Sequence, residues 1–130
     1  MIKANELRIG NYILFKQFGK GKGKIGQMKP GDFGRVGCDD PEESEYHPIS
    51  LTPEWLALCG LVAGEIRFSY HTHISVRPYQ TAIQGVFPGE WQVTLISAVP
   101  HPLGTRIKYL HQLQNLYYIL TGEELQIKLP

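Results

Sequence analysis

The sequence predicts an α+β fold, mostly antiparallel β, with one short helix and one long C-terminal helix packed on the sheet. Three observations carry this. Fourteen Gly and nine Pro among 130 residues make a turn-rich chain. Residues 65–77 alternate without a break, with Ile66, Phe68, Tyr70, Thr72, Ile74 and Val76 on one side. Glu65, Arg67, Ser69, His71, His73, Ser75 and Arg77 occupy the other, the period of a half-buried strand. Over 105–121, Tyr109, Leu110, Leu113, Leu116, Tyr117 and Leu120 share one arc about 120° wide at helical spacing.

The N-terminal part reads as a small SH3-like or barrel-like set of strands. Residues 11–18 are aromatic and β-branched and form a strand. Residues 19–23, Gly-Lys-Gly-Lys-Gly, form a flexible connector. Residues 24–28 and 33–38 form short strands around the turn Lys29-Pro30-Gly31-Asp32. Residues 39–44 form an acidic loop.

The short helix is predicted over 53–59. Thr52 caps it, Pro53 suits the first helical position, and Glu54 favours the positive helix end. Leu51 packs on Leu56 as a hydrophobic staple. Gly60 stops the helix in the left-handed conformation. Trp55, Leu58 and Cys59 or Leu56 form its buried side.

The alternating stretch 65–77 is about twice the length of a usual strand, so it bends or turns near 71–73. Residues 82–87 and 90–97 flank Pro88-Gly89, which predicts a hairpin with a type II turn. Pro100 and Pro102 end the sheet. The long helix spans 105–121 and stops at Gly122. Leu125, Ile127 and Leu129 then alternate with Gln126 and Lys128 as a final strand. The whole, 1–130, is read as one compact domain with sub-lobes 1–50, barrel-like, and 51–130, α+β. At this length the chain buries roughly two-thirds of its unfolded surface and needs no disulfide or metal to fold. Collagen, coiled coil, disulfide scaffold and wholesale disorder are excluded by composition.

The net charge is only +1, but it is unevenly placed. Residues 1–37 carry eight positives and two negatives, residues 38–66 carry seven negatives and no positive, and residues 67–130 carry five positives and three negatives. Two readings follow: neutralisation of the basic segment by the acidic one, or a basic N-terminal region that meets phosphates. Cys38 and Cys59 lack CxxC spacing and read as reduced thiols. The N-terminal residues have no apolar h-region, and no apolar run spans a bilayer, which predicts a cytoplasmic protein with no membrane partner.

Three stretches resemble a family of small bacterial proteins of no assigned activity, members of which also occur in prophages and other mobile elements. The C-terminal stretch Ile107-Lys108-Tyr109-Leu110-His111-Gln112-Leu113-Gln114-Asn115-Leu116-Tyr117-Tyr118, with Leu120-Thr121-Gly122-Glu123-Glu124-Leu125, is the most specific. The opening Asn5-Glu6-Leu7-Arg8-Ile9-Gly10-Asn11-Tyr12 and the middle Pro48-Ile49-Ser50-Leu51-Thr52-Pro53-Glu54-Trp55-Leu56 are similar to the same family. Together they cover about a third of the chain. The resemblance implies a prokaryotic domain, supplies no cofactor or catalytic residue to carry over, and leaves the function open.

Gly21-Lys22-Gly23-Lys24-Ile25-Gly26 fits G-x-G-x-x-G, yet no helical period follows it, so it reads as a basic strand connector. His71 and His73 share a strand face but lack a placed third ligand, which predicts no metal. His111, Asn115 and Tyr118 share the polar side of the long helix, with Gln112 and Gln114 beside them. These neutral groups are either buried against the N-terminal part or line a binding surface. The sequence has no GxSxG or HExxH motif. The leading expectation is a non-enzymatic binding or accessory module without a cofactor. It contacts a protein or nucleic acid through the basic region, with Lys20, Lys22, Lys24 and Lys29, and His111, Asn115 and Tyr118 as further binding residues. The alternative is a small hydrolase or ligand-binding protein with a pocket between the long helix and the His71/His73 bend.

Overall fold

A computed structural model describes residues 7–15, 24–30, 46–67, 73–96 and 101–129, the side chains of 101–104 excepted. The fold is α+β. Its elements in order are β1 (Tyr12–Phe15), β2 (Lys24–Gln27), β3 (Tyr46–His47), α1 (Pro53–Leu58), β4 (Glu65–Arg67), β5 (His73–Thr81), β6 (Gly85–Ile96), β7 (His101–Ile107) and α2 (Leu110–Thr121). They form one sheet ordered β2-β1-β3 and another ordered β4-β5-β6-β7, with every strand pair antiparallel. The chain divides into two compact units. The first is Met1–Ile49 with Tyr109–Leu120; the second is Ser50–Lys108 with Thr121–Pro130.

In the first unit, β1 is central. Ile13 is fully buried and clusters with Leu7, Met28 and Tyr46, and Phe15 packs on them. The Phe15 and Tyr46 rings meet edge to face at 5.1 Å. Arg8 O accepts from Asn11 N at 3.0 Å, closing a turn in which Gly10 takes φ 94°, a value that favours glycine. Of the predicted strand 11–18, Tyr12–Phe15 form β1 and residues 16–18 lie outside the described residues; of 24–28, Lys24–Gln27 form β2. The 19–23 connector, the 33–38 strand, the 39–44 loop and residues 68–72 lie outside the described residues.

The second unit opens with the predicted short helix. Thr52 Oγ1 accepts from Trp55 N at 3.3 Å, and Pro53 sits in the first turn. At the other end Leu61 N donates to Leu56 O and Gly60 N to Ala57 O, a Schellman closure with Gly60 at φ 86°. Leu56 and Cys59 are buried, whereas Trp55 and Leu58 are only partly so. Val62 and Glu65 then exchange both backbone hydrogen bonds around Ala63 and Gly64, which take φ 54° and 77°. Two positive φ values in a two-residue loop mark a type I′ hairpin turn.

The long alternating stretch is folded back on itself, as its length required. Arg67 pairs with His73, Ile66 with Ile74 and Glu65 with Ser75. Ile74, Val76, Val93 and Ile107 are buried on one face of this sheet, and Leu51, Leu56, Cys59, Leu61 and Leu125 are the other buried apolar side chains among the described residues of the unit. Trp91 Nε1 donates to Leu51 O at 3.0 Å, satisfying the indole N–H.

Five expectations are corrected. Pro88-Gly89 is not a hairpin turn: β6 runs through it. The turn lies at 82–84, where Gln84 N donates to Thr81 Oγ1 at 3.0 Å and Gly85 takes φ 73°. Pro88 and Gly89 instead form a bulge. Pro78 pairs with Trp91 and Gln80 with Val86, so residues 87–90 stand opposite Tyr79 alone. A bulge tolerates a residue without an N–H to donate, and Gly89 supplies φ 79°. Pro102 does not end the sheet but lies in β7, opposite Thr94.

The long helix begins at Leu110, not at 105, because Thr105, Arg106 and Ile107 pair with Val93, Gln92 and Trp91. Pairing with β6 overrides the helical period there. The buried side of α2 is also rotated from the predicted arc: Leu110, His111, Leu113 and Gln114 are buried, while Leu116, Tyr117 and Leu120 are partly exposed. Finally, 124–129 is not a strand. Lys128 N donates to Leu58 O at 2.9 Å, and Leu125 is buried without a sheet ladder.

Candidate functional site

Two groups of side chains stand out, one in each unit. In the first unit the polar side of α2 is spent on the N-terminal segment. Gln114 Oε1 accepts from Tyr12 N at 2.8 Å, and Gln114 Nε2 donates to Gly10 O at 3.3 Å. Asn115 Oδ1 accepts from Asn11 Nδ2 at 2.8 Å and from Arg8 Nε at 3.1 Å. Asn11 Oδ1 in turn accepts from Arg8 N at 2.7 Å. The Arg8 guanidinium lies 4.3 Å from the centre of the Tyr118 ring, a cation–π contact.

This cluster explains why a helix face carries amides in place of Lys and Glu. Amides taken out of water need partners, and here these are backbone groups, the Asn11 amide and the Arg8 guanidinium. It also joins the opening block around Arg8-Ile9-Gly10-Asn11-Tyr12 to the C-terminal block around Gln114 and Asn115. His111 is buried and stacks on Tyr109 with ring centres 5.8 Å apart, Tyr118 is exposed, and Asn115 is intermediate. Of the basic residues singled out, Lys24 begins β2 and Lys29 follows it, both exposed. Lys20 and Lys22 lie outside the described residues.

In the second unit the sheet face opposite the buried Ile74, Val76 and Val93 is mostly polar, with Ile96 beside His73 as an apolar exception. Strand alternation places Glu65, Arg67, His73, Ser75, Arg77, Tyr79, Gln92, Thr94 and Arg106 on it. Arg77 pairs with Gln92 and Gln92 with Arg106, so two arginines flank a glutamine in one row across three strands. Glu65 Oε1 lies 3.6 Å from His73 Nε2 and 3.7 Å from Arg77 Nη2. The Arg106 guanidinium lies 4.6 Å from the centre of the Tyr79 ring, and Phe87 packs against Tyr79 at 5.3 Å. One row further, Lys108 Nζ lies 3.7 Å from Glu90 Oε1.

These arginines and the tyrosine were not singled out from the sequence. The signal was there in part: Arg67 and Arg77 share one parity of the alternating stretch, and Tyr79 lies two residues beyond its end on the same parity. Arg106 could not be added without the register of β6 and β7. His73 belongs to the second unit and His111 to the first, and His71 lies outside the described residues. Among the described residues no three His, Cys, Asp or Glu side chains are grouped to hold a metal, and no helix is long and apolar enough to cross a membrane. Cys59 is buried, and desolvation pushes its thiol up to about 12. A thiol so protonated is a poor nucleophile. Cys38 lies outside the described residues.

No family model, curated protein or solved structure matches the chain.

Proposed function

We propose that the protein is a non-enzymatic binding module, cytoplasmic and of bacterial or mobile-element origin, that contacts a nucleic acid or protein through its basic N-terminal region. The observation that carries this reading is the exposure of Lys24 and Lys29 at either side of β2, the terminal strand of the described three-stranded sheet. Lys20 and Lys22 precede Lys24 in the Gly-Lys-Gly-Lys-Gly stretch, which adds two cations beside it in sequence. The resemblance of the opening and closing blocks to small bacterial and prophage proteins fits an accessory role of this kind.

The test is binding of a labelled mixed-sequence duplex at low salt, wild type against a variant with Lys20, Lys22, Lys24 and Lys29 all changed to Ala. Phosphate contact gives binding that falls steeply with salt, and a salt slope shallower in the variant by nearly one unit per lost contact. Preference for a poly-glutamate peptide over the duplex moves the reading to an acidic protein partner. Equal and negligible binding of both probes by both proteins retires it.

A further inference from the structure

We infer that the polar face of the four-stranded sheet is a second binding site, for single-stranded nucleic acid, with Arg106 and Tyr79 as a stacking pair and Arg67 and Arg77 as phosphate contacts. This goes beyond the N-terminal reading, because it uses other residues in the other unit. Arg106 is exposed and its guanidinium rests over the Tyr79 ring, with Phe87 bracing that ring from β6. A guanidinium held on an aromatic ring is a planar cation whose outer surface suits a nucleobase, and bases stack on arginine as well as on aromatic rings. Prior stacking on Tyr79 also removes part of the ordering cost that a free arginine would incur on binding.

Charge points to the same ligand. Arg67, Arg77, Arg106 and Lys108 outnumber Glu65 and Glu90 on this face. The rows are in register, so Arg77 and Arg106 lie two strands apart, about 10 Å. A strand of phosphates with bases turned towards Arg106 matches cations set beside one stacking position. An acidic peptide matches the cations but leaves the Arg106–Tyr79 stack without a role.

The test uses the full chain and two labelled probes of equal length and charge, a thymidine 12-mer and an abasic 12-mer. Wild type is expected to bind the thymidine probe roughly tenfold or more tightly than the abasic one, the difference stacking supplies. Tyr79→Ala and Arg106→Lys are expected to reduce thymidine binding to the abasic level. Tyr79→Phe, which keeps the ring, is expected to retain the preference, and unchanged melting confirms that each variant is folded. The four-lysine variant is expected to weaken both probes by the same factor and leave their ratio intact, which separates this site from the N-terminal one. Equal binding of the two probes by wild type overturns the proposal. So does an Arg106→Lys variant that keeps the wild-type preference, or a poly-glutamate peptide that displaces the thymidine probe more readily than unlabelled thymidine does.

Discussion

Asn11 Nδ2 donates to Asn115 Oδ1 at 2.8 Å, joining residues 104 positions apart in the chain. Asn11 is fully buried, so its side chain has no access to replacement water. Asn115→Leu removes the acceptor for both Asn11 and Arg8 and is expected to cost about 1–3 kcal/mol. Asn11→Ala is expected to cost a similar amount. The double variant should cost less than their sum, because the interaction is lost only once. Urea unfolding of the four proteins checks it; strict additivity would show that the pair is not coupled.

Leu113 is almost fully buried on α2, while Ile119 is 78% exposed on the same helix. Leu113→Ala is expected to destabilise by about 2–5 kcal/mol, through lost transfer energy and the cavity left behind. Ile119→Ala should stay within about 0.5 kcal/mol of wild type. Thermal melting of the pair tests which face of α2 supports the core.

The Ala63-Gly64 turn makes a prediction of opposite signs at adjacent positions. Ala63 adopts φ 54° without the freedom of glycine. Ala63→Gly or Ala63→Asn should therefore stabilise, by up to about 1 kcal/mol. At Gly64 an added Cβ would lie 2.9 Å from Val76 O and 2.9 Å from Arg77 Nη1. Gly64→Ala should destabilise more than Gly89→Ala, where φ is also positive but no atom lies within 4 Å. For Gly89→Ala the backbone term alone is about 1–2 kcal/mol. Denaturant midpoints rank the variants.

Cys59 ties stability to alkaline pH. Burial raises its thiol from 9.0 to about 12, so above pH 9 the unfolded chain loses this proton while the folded chain keeps it. The contribution is complete below about pH 9 and is lost progressively as pH rises towards 12. Cys59→Ala removes that slope. The expected result is a steeper fall in the wild-type unfolding free energy than in the variant's between pH 9 and 11, measured by urea titration. Parallel curves would show that the thiol does not titrate differently in the two states.

What was readable from sequence alone is what is decided within a few residues. Thr52, Pro53 and Gly60 set both ends of α1 locally, and the structure places the helix where they put it. Pro88-Gly89 is equally local, yet a turn dipeptide does not reveal whether the chain reverses or merely buckles. That depends on Thr81, Gln84 and Gly85 making the reversal first. Thr105, Arg106 and Ile107 fit a helical and a strand period alike over three residues, and β6 settles the choice. The two candidate surfaces divide in the same way. The amide side of α2 was visible by helical spacing, but its bonding to Arg8 and Asn11 was not. The Arg77-Gln92-Arg106 row is a product of strand register across 30 residues of chain, beyond the reach of any local pattern.

The first unit is discontinuous: it ends one stretch at Ile49 and resumes at Tyr109. At its seam Leu110 N donates to Ile49 O at 2.9 Å. A ribosome therefore delivers Asn11 and Ile13 long before it delivers the helix that contains Gln114 and Asn115. Until that helix emerges, the early stretch has neither its polar partners nor its full complement of buried groups, whereas most of the second unit has already been made. The order of synthesis thus runs against the order of closure. A nascent chain released before residue 109 would carry the opening sequence block without the helix that satisfies it, the condition in which holding chaperones and proteases find their substrates.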